Sequence, residues 1–142
     1  MASSKSLTDK GLRLEVGPNE HFMVNGVLFK NSGMRAKFIC TDSAYPSILK
    51  GKMVMLESEA TTELRKMYLF LQKCYMTQND VERARLVDQL SQSYFQALRA
   101  AMTGQEFIRF AQLVIDKEFY QALKLLLQLI KTQESSGPEP SA

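Results

Sequence analysis

Six basic side chains near the front of the chain are the residues whose type and spacing point most directly to chemistry. Lys30, Arg35 and Lys37 flank an Asn31-Ser32-Gly33 turn, Lys50 and Lys52 bracket Gly51, and Arg13 lies in an alternating segment before them. Cations so spaced can each meet a phosphate, and Phe29 beside Lys30 offers a ring on which a base could stack. The same residues also suit the solvated face of a small sheet with Phe29 in its core. Charge placement bears on the choice: Met1 to Leu56 holds eight basic residues against four acidic, a balance of +4, whereas Glu57 to Ala142 stands at −1. Any polyanionic partner is therefore expected at the front.

Other chemistry finds little support. His21 stands alone, so neither a nucleophile triad nor a metalloprotease helix can be assembled. Cys40 and Cys74 lie far apart in apolar surroundings and read as core thiols rather than a disulfide or zinc pair. Gly17, Gly26, Gly33 and Gly51 are isolated turn residues and form no phosphate-cradling loop. Glu57, Glu59 and Glu63 are better explained as carboxylates favoured near helix starts than as an acid pair. The methionines fit helix stripes and strands, so core filling is preferred over a sulfur ligand set. No catalytic residue, metal ligand or cofactor is expected. Met1 to Lys10 lacks an apolar signal core and no run is long enough to span a membrane, so a reducing cytoplasm is the expected location.

The elements that must carry these residues change character once, near Leu56 to Thr62. At 142 residues the chain can bury a core without disulfides or metal. Leu12 to Val16 alternates as a half-buried strand does, and Gly17-Pro18-Asn19 breaks it. Asn25-Gly26 between Phe22-Met23-Val24 and Val27-Leu28-Phe29 is the strongest hairpin signal in the chain. Met34 to Thr41 predicts a further strand, with Arg35, Lys37 and Ile39 on one face and Met34, Ala36, Phe38 and Cys40 on the other, closed by Tyr45-Pro46. Drawn as a continuous meander, this places Phe29 on the face of Arg35, and Ile48 to Leu56 adds another strand around Gly51.

Behind Leu56 the periodicity becomes helical. Leu64, Met67, Tyr68, Leu71, Cys74 and Tyr75 form one stripe over Thr62 to Met76. A second helix fits Asn79 or Asp80 to Met102, and Thr103-Gly104-Gln105-Glu106 has the form of a capping box that starts a third, running to about Lys117. Glu118 to Thr132 is apolar around more than half its circumference, so its Leu125, Leu126, Leu129 and Ile130 must be covered by the domain or by a partner. The expected fold class is α+β, a small antiparallel β meander followed by a bundle of three to four α-helices. Residues 1–10 and 135–142 are expected to be disordered, around a single domain over 11–134 with a basic β-rich part (11–56) and a helical part (57–134).

Several segments together resemble one family. Leu12-Arg13-Leu14-Glu15-Val16-Gly17-Pro18, Val24-Asn25-Gly26-Val27, Leu49-Lys50-Gly51-Lys52, and Glu59-Ala60-Thr61-Thr62 with Arg65-Lys66-Met67-Tyr68 are similar to the FlbT flagellar assembly regulators of alphaproteobacteria. The likeness covers roughly Gly11 to Thr132. It implies a post-transcriptional regulator that binds the 5′ leader of flagellin messenger RNA and alters its translation and stability, in concert with or against a second small flagellar protein, FlaF. Joined to the charge asymmetry, it makes Arg35, Lys37, Lys50 and Lys52, then Lys30 and Arg13, the expected RNA contacts. The alternative is a protein-interaction module, possible also as a homo-oligomer, in which Leu125, Leu126, Leu129 and Ile130 dock on FlaF, flagellin or an identical subunit.

Overall fold

The computed structural model describes residues 12–42 and 46–136. Met1–Lys10, expected to be disordered, lies outside the described residues, as do Tyr45 of the Tyr45-Pro46 break and the tail beyond Ser136. The chain gathers into two compact units, Met1–Val54 and Met55–Ala142, a division that the sequence reading draws at Leu56 inside one domain.

Among the described residues of the first unit five short strands form: β1 (Arg13–Val16), β2 (His21–Val24), β3 (Val27–Lys30), β4 (Ala36–Ile39) and β5 (Ile48–Lys50). Alternation fixes β1, with Leu14 and Val16 buried and Arg13 and Glu15 exposed. Asn25 and Gly26 both take positive φ, 48° and 89°, the two-residue turn that matches the twist of β2 and β3. All pairings are antiparallel, but one meander is replaced by two sheets, β1-β4 and β3-β2-β5.

Asn31 accounts for the division. Its Nδ2 donates to the carbonyls of Val16, Gly17 and Met34 at 2.8–3.0 Å, its Oδ1 accepts from Gly33 N, and its backbone exchanges bonds with Asn19 and Glu20. The chain leaving β3 is thereby tied to the end of β1, and β4 pairs with β1 instead of returning along β3. This also corrects two details of the meander. Phe29 and the Arg35 segment belong to different sheets, and Met34, expected inside, is 86% exposed because β4 begins only at Ala36.

The second unit holds α1 (Glu63–Met76), α2 (Asp80–Ala101), α3 (Gly104–Ile115) and α4 (Phe119–Ser136). Side chains cap the first three: Thr62 accepts from Arg65 N, Asn79 from Glu82 N, and Thr103 and Glu106 close the capping box. Each such cap satisfies a backbone N–H that the helix start leaves without a partner. α1 packs on α2 and α4, and α3 packs on α4 and α2. Met67, Tyr68, Leu71, Cys74, Leu90, Leu98, Phe110, Leu123 and Leu126 fill the core. Burial pushes the Cys74 thiol up to about 11, which keeps it protonated and unreactive near neutrality.

Two polar devices close this unit. Gln72, only 3% exposed, accepts from Met55 N at 2.8 Å and donates to Met55 O at 3.0 Å, so a buried amide holds the segment before α1. Arg65 grips both carboxylate oxygens of Glu134 at 2.6 and 2.8 Å, joining α1 to the last turns of α4. α4 runs to Ser136, two residues into the stretch read as a tail.

Candidate nucleic-acid interface

Three of the six cations converge on one acidic residue of β1. Arg35 Nη1 lies 3.2 Å from Glu15 Oε2, Lys50 Nζ donates to the Glu15 carbonyl at 2.6 Å, and Lys37 stands opposite Glu15 in the β1-β4 register. Only Arg35 pairs with the Glu15 carboxylate, so the three cations outnumber the acid beside them. Arg35 and Glu15 are each about half exposed, so water and salt screen their pair and the guanidinium stays open to an anion. Glu20 is a second carboxylate of this region: its Oε1 accepts from Gly17 N at 2.7 Å, and its Oε2 faces Gly51, between Lys50 and Lys52.

The other cations lie around this group. Lys30 ends β3 opposite His21, and Lys52 is exposed in the 3-10 turn Gly51–Met53 that follows β5. That turn needs Gly51, whose φ of 57° suits a residue without Cβ and against which Glu20 Oε2 rests. The side chains of Lys30, Lys37 and Lys52 are exposed and make no hydrogen bond or ion pair with the described residues. Arg13 is exposed at the start of β1, opposite Ile39.

A row of aromatic rings runs through the same unit. Phe22 and Phe29 are paired across β2 and β3, and their rings stack at 5.1 Å with 15° between planes. Phe38 of the other sheet reaches Phe22 at 6.5 Å, tilted by 31°. Register places Lys50 on the other side of Phe22, so Phe29, Phe22 and Lys50 follow one another across the three-stranded sheet. Phe29 is 45% exposed and Phe38 51%. The sequence reading singled out Phe29 alone. Phe22 was legible as its partner, since a two-residue hairpin fixes the register, whereas Phe38 comes from another sheet and left no sequence signal.

The cluster expected to bind a partner is taken up by the fold in good part. Leu126 and Ile130 are buried in the core of the helical unit, and Leu125 and Leu129 are half-buried. Among the described residues, the large apolar side chains exposed on that unit are instead Val81, Ile108, Ile115 and Tyr120. Among the described residues no three His, Cys, Asp or Glu side chains gather as a metal site would require. Among the described residues no helix is long and apolar enough to cross a membrane.

Residues 12–136 match the model of the family described as flagellar protein FlbT. The chain belongs to the FlbT family. A "probable flagellum biosynthesis repressor protein FlbT" of Caulobacter sp. (strain K31) is 27% identical over 125 residues, covering 87% of this chain and 93% of the relative. The FlbT proteins of Caulobacter vibrioides strains NA1000 / CB15N and ATCC 19089 are each 26% identical over 125 residues, 87% of this chain and 86% of theirs; the latter is named a flagellum biosynthesis repressor protein without qualification. No solved structure matches the chain. The FlbT match takes in both the basic strands and all four helices.

Proposed function

We propose that this FlbT-family chain is a regulator of flagellum biosynthesis that acts on flagellin messenger RNA, its β unit contacting the 5′ leader. The relatives' names as flagellum biosynthesis repressors support the regulatory part. The messenger leader is what the family resemblance implies. The observation that carries RNA contact is the gathering of Arg35, Lys37 and Lys50 around Glu15, whose carboxylate pairs with Arg35 and whose backbone carbonyl accepts from Lys50, with the side chains of Lys30 and Lys52 exposed nearby in sequence and otherwise unengaged. A surface on which cations outnumber carboxylates favours a polyanion.

No catalytic step is assigned, so the effect on the messenger is one of binding: occupancy of a leader changes its access to ribosomes and nucleases. The test is binding of purified protein to flagellin leader RNA over a series of salt concentrations. If four cations pair with phosphates of a single strand, log affinity falls with log salt at a slope of about −3. A slope near zero, or unchanged affinity in an Arg35→Gln, Lys37→Gln, Lys50→Gln, Lys52→Gln variant, overturns the assignment. Binding that appears only when FlaF or flagellin is added supports the protein-interaction reading instead.

A further inference from the structure

We propose that Phe29 and Phe38 are base-stacking rings, so that the β unit takes its RNA as a single strand with unpaired bases rather than as a duplex; this rests on the proposed RNA contact and specifies the form of RNA. Stacking needs a ring face that the fold leaves open, next to groups that can hold a backbone. β3 is an edge strand among the described residues, so no strand covers the side of Phe29 turned away from Phe22. The near-parallel stack of Phe29 on Phe22 fixes the plane of the outer ring in advance. A base laid on it continues a stack already begun and needs little reordering of the protein. Phe38, at the other end of the row and tilted, presents a second ring at a different angle.

Charge favours a nucleic acid over an apolar protein surface as occupant. Lys30 follows Phe29 and Lys37 precedes Phe38, each on the opposite face of its strand, while Lys50 shares the face of Phe22 and Phe29. Lys50 is thus the cation on the face of the stacked rings, placed to meet a phosphate of a strand whose base lies on Phe29. A duplex offers no such fit, because its bases are stacked on one another and its grooves do not open to a flat ring.

The chain contains no tryptophan, which gives the test a clean signal. Labelled oligoadenylate of about ten nucleotides, its abasic counterpart and a blunt duplex of the same length serve as probes. Phe29→Leu and Phe38→Leu, which keep apolar bulk, are each expected to weaken oligoadenylate binding about tenfold while leaving the salt slope unchanged. The abasic strand should bind weakly and be indifferent to both substitutions. In a Phe29→Trp variant the indole fluorescence should be quenched by oligoadenylate and not by the abasic strand.

Leader RNA bound with affinity within about twofold of the parent in both leucine variants, or duplex bound as tightly as single strand, overturns the inference and leaves the proposed function standing on cations alone. Failure to bind any RNA, leader included, overturns both. Loss of self-association in sedimentation on Phe29→Leu, with RNA binding intact, assigns the row to a protein interface and rejects the stacking role.

Discussion

In the helical unit Phe110, Leu90 and Leu126 are enclosed on every side, while in the β unit Phe29 and Phe38 stand about half in solvent. The β strands are no less apolar in sequence; the difference is geometric. Strands of three or four residues in two- and three-stranded sheets have too little area to cover both faces, whereas four helices of 12 to 22 residues can enclose a shared centre. The two units differ in charge as well, the positive excess lying with the strands. One region therefore holds its shape through packing, and the other presents rings and cations on short, tightly turned strands.

The largest effect expected from this contrast is loss of packing. Phe110→Ala removes a fully buried ring that meets Phe95 edge-on and should cost about 3–5 kcal/mol, read as a lower urea midpoint, whereas Phe29→Leu should cost less than about 1 kcal/mol. Equal costs would erase the distinction between the two regions. Next comes the buried amide: Gln72→Leu leaves the Met55 N–H and C=O without partners and should cost about 2 kcal/mol, with the Met55 amide losing protection in hydrogen exchange.

The Arg65–Glu134 pair gives a smaller, pH-dependent effect. Its bidentate hydrogen bonds to the Arg65 guanidinium hold the Glu134 carboxyl below the usual range. The resulting stability is present above the ordinary glutamate range and disappears as pH falls through the lowered Glu134 value. Glu134 is nearly half exposed, so solvent screening limits Glu134→Gln to at most about 1 kcal/mol near neutrality. Thermal melts of parent and variant should converge in acid and at high salt.

The smallest effect has the opposite sign. Lys117 ends α3 with φ of 62°, and the bonds Lys117 N to Val114 O and Glu118 N to Leu113 O form a helix stop that glycine favours. Lys117→Gly should raise stability by roughly 0.5 kcal/mol, since relief of the left-handed backbone outweighs the greater freedom of the unfolded chain. An unchanged or lower melting temperature would show that Lys117 carries no net strain.

Local signals were legible wherever neighbours in sequence decide the outcome. Asn25-Gly26, Thr62, Asn79 and the Thr103 to Glu106 box each act within a few residues, and each takes the role its chemistry specifies. The candidate site was legible in its cations and in Phe29. Phe38 was not, because an alternating strand says which face a residue takes but not which sheet lies opposite. Leu126 and Ile130 left two readings open for a related reason: apolar residues around most of a helix show that the domain or a partner must cover it, and only packing shows that α1 and α3 lie against α4.

What the sequence determined by itself is therefore the α+β order, the Asn-Gly hairpin with its Phe22–Phe29 register, the helix caps and the placement of positive charge at the front. The tertiary structure decided three further things: that Asn31 ties β3 to the end of β1 and splits the strands into two sheets, that Phe38 crosses to join Phe22, and that Arg35, Lys37 and Lys50 share Glu15. Turns, caps and alternation act over a few residues and can be read in order along a chain. Contacts between residues 15 and 50, or 22 and 38, depend on which of several antiparallel pairings leaves the fewest backbone and side-chain polar groups without partners, and that is settled only when all the strands are in place.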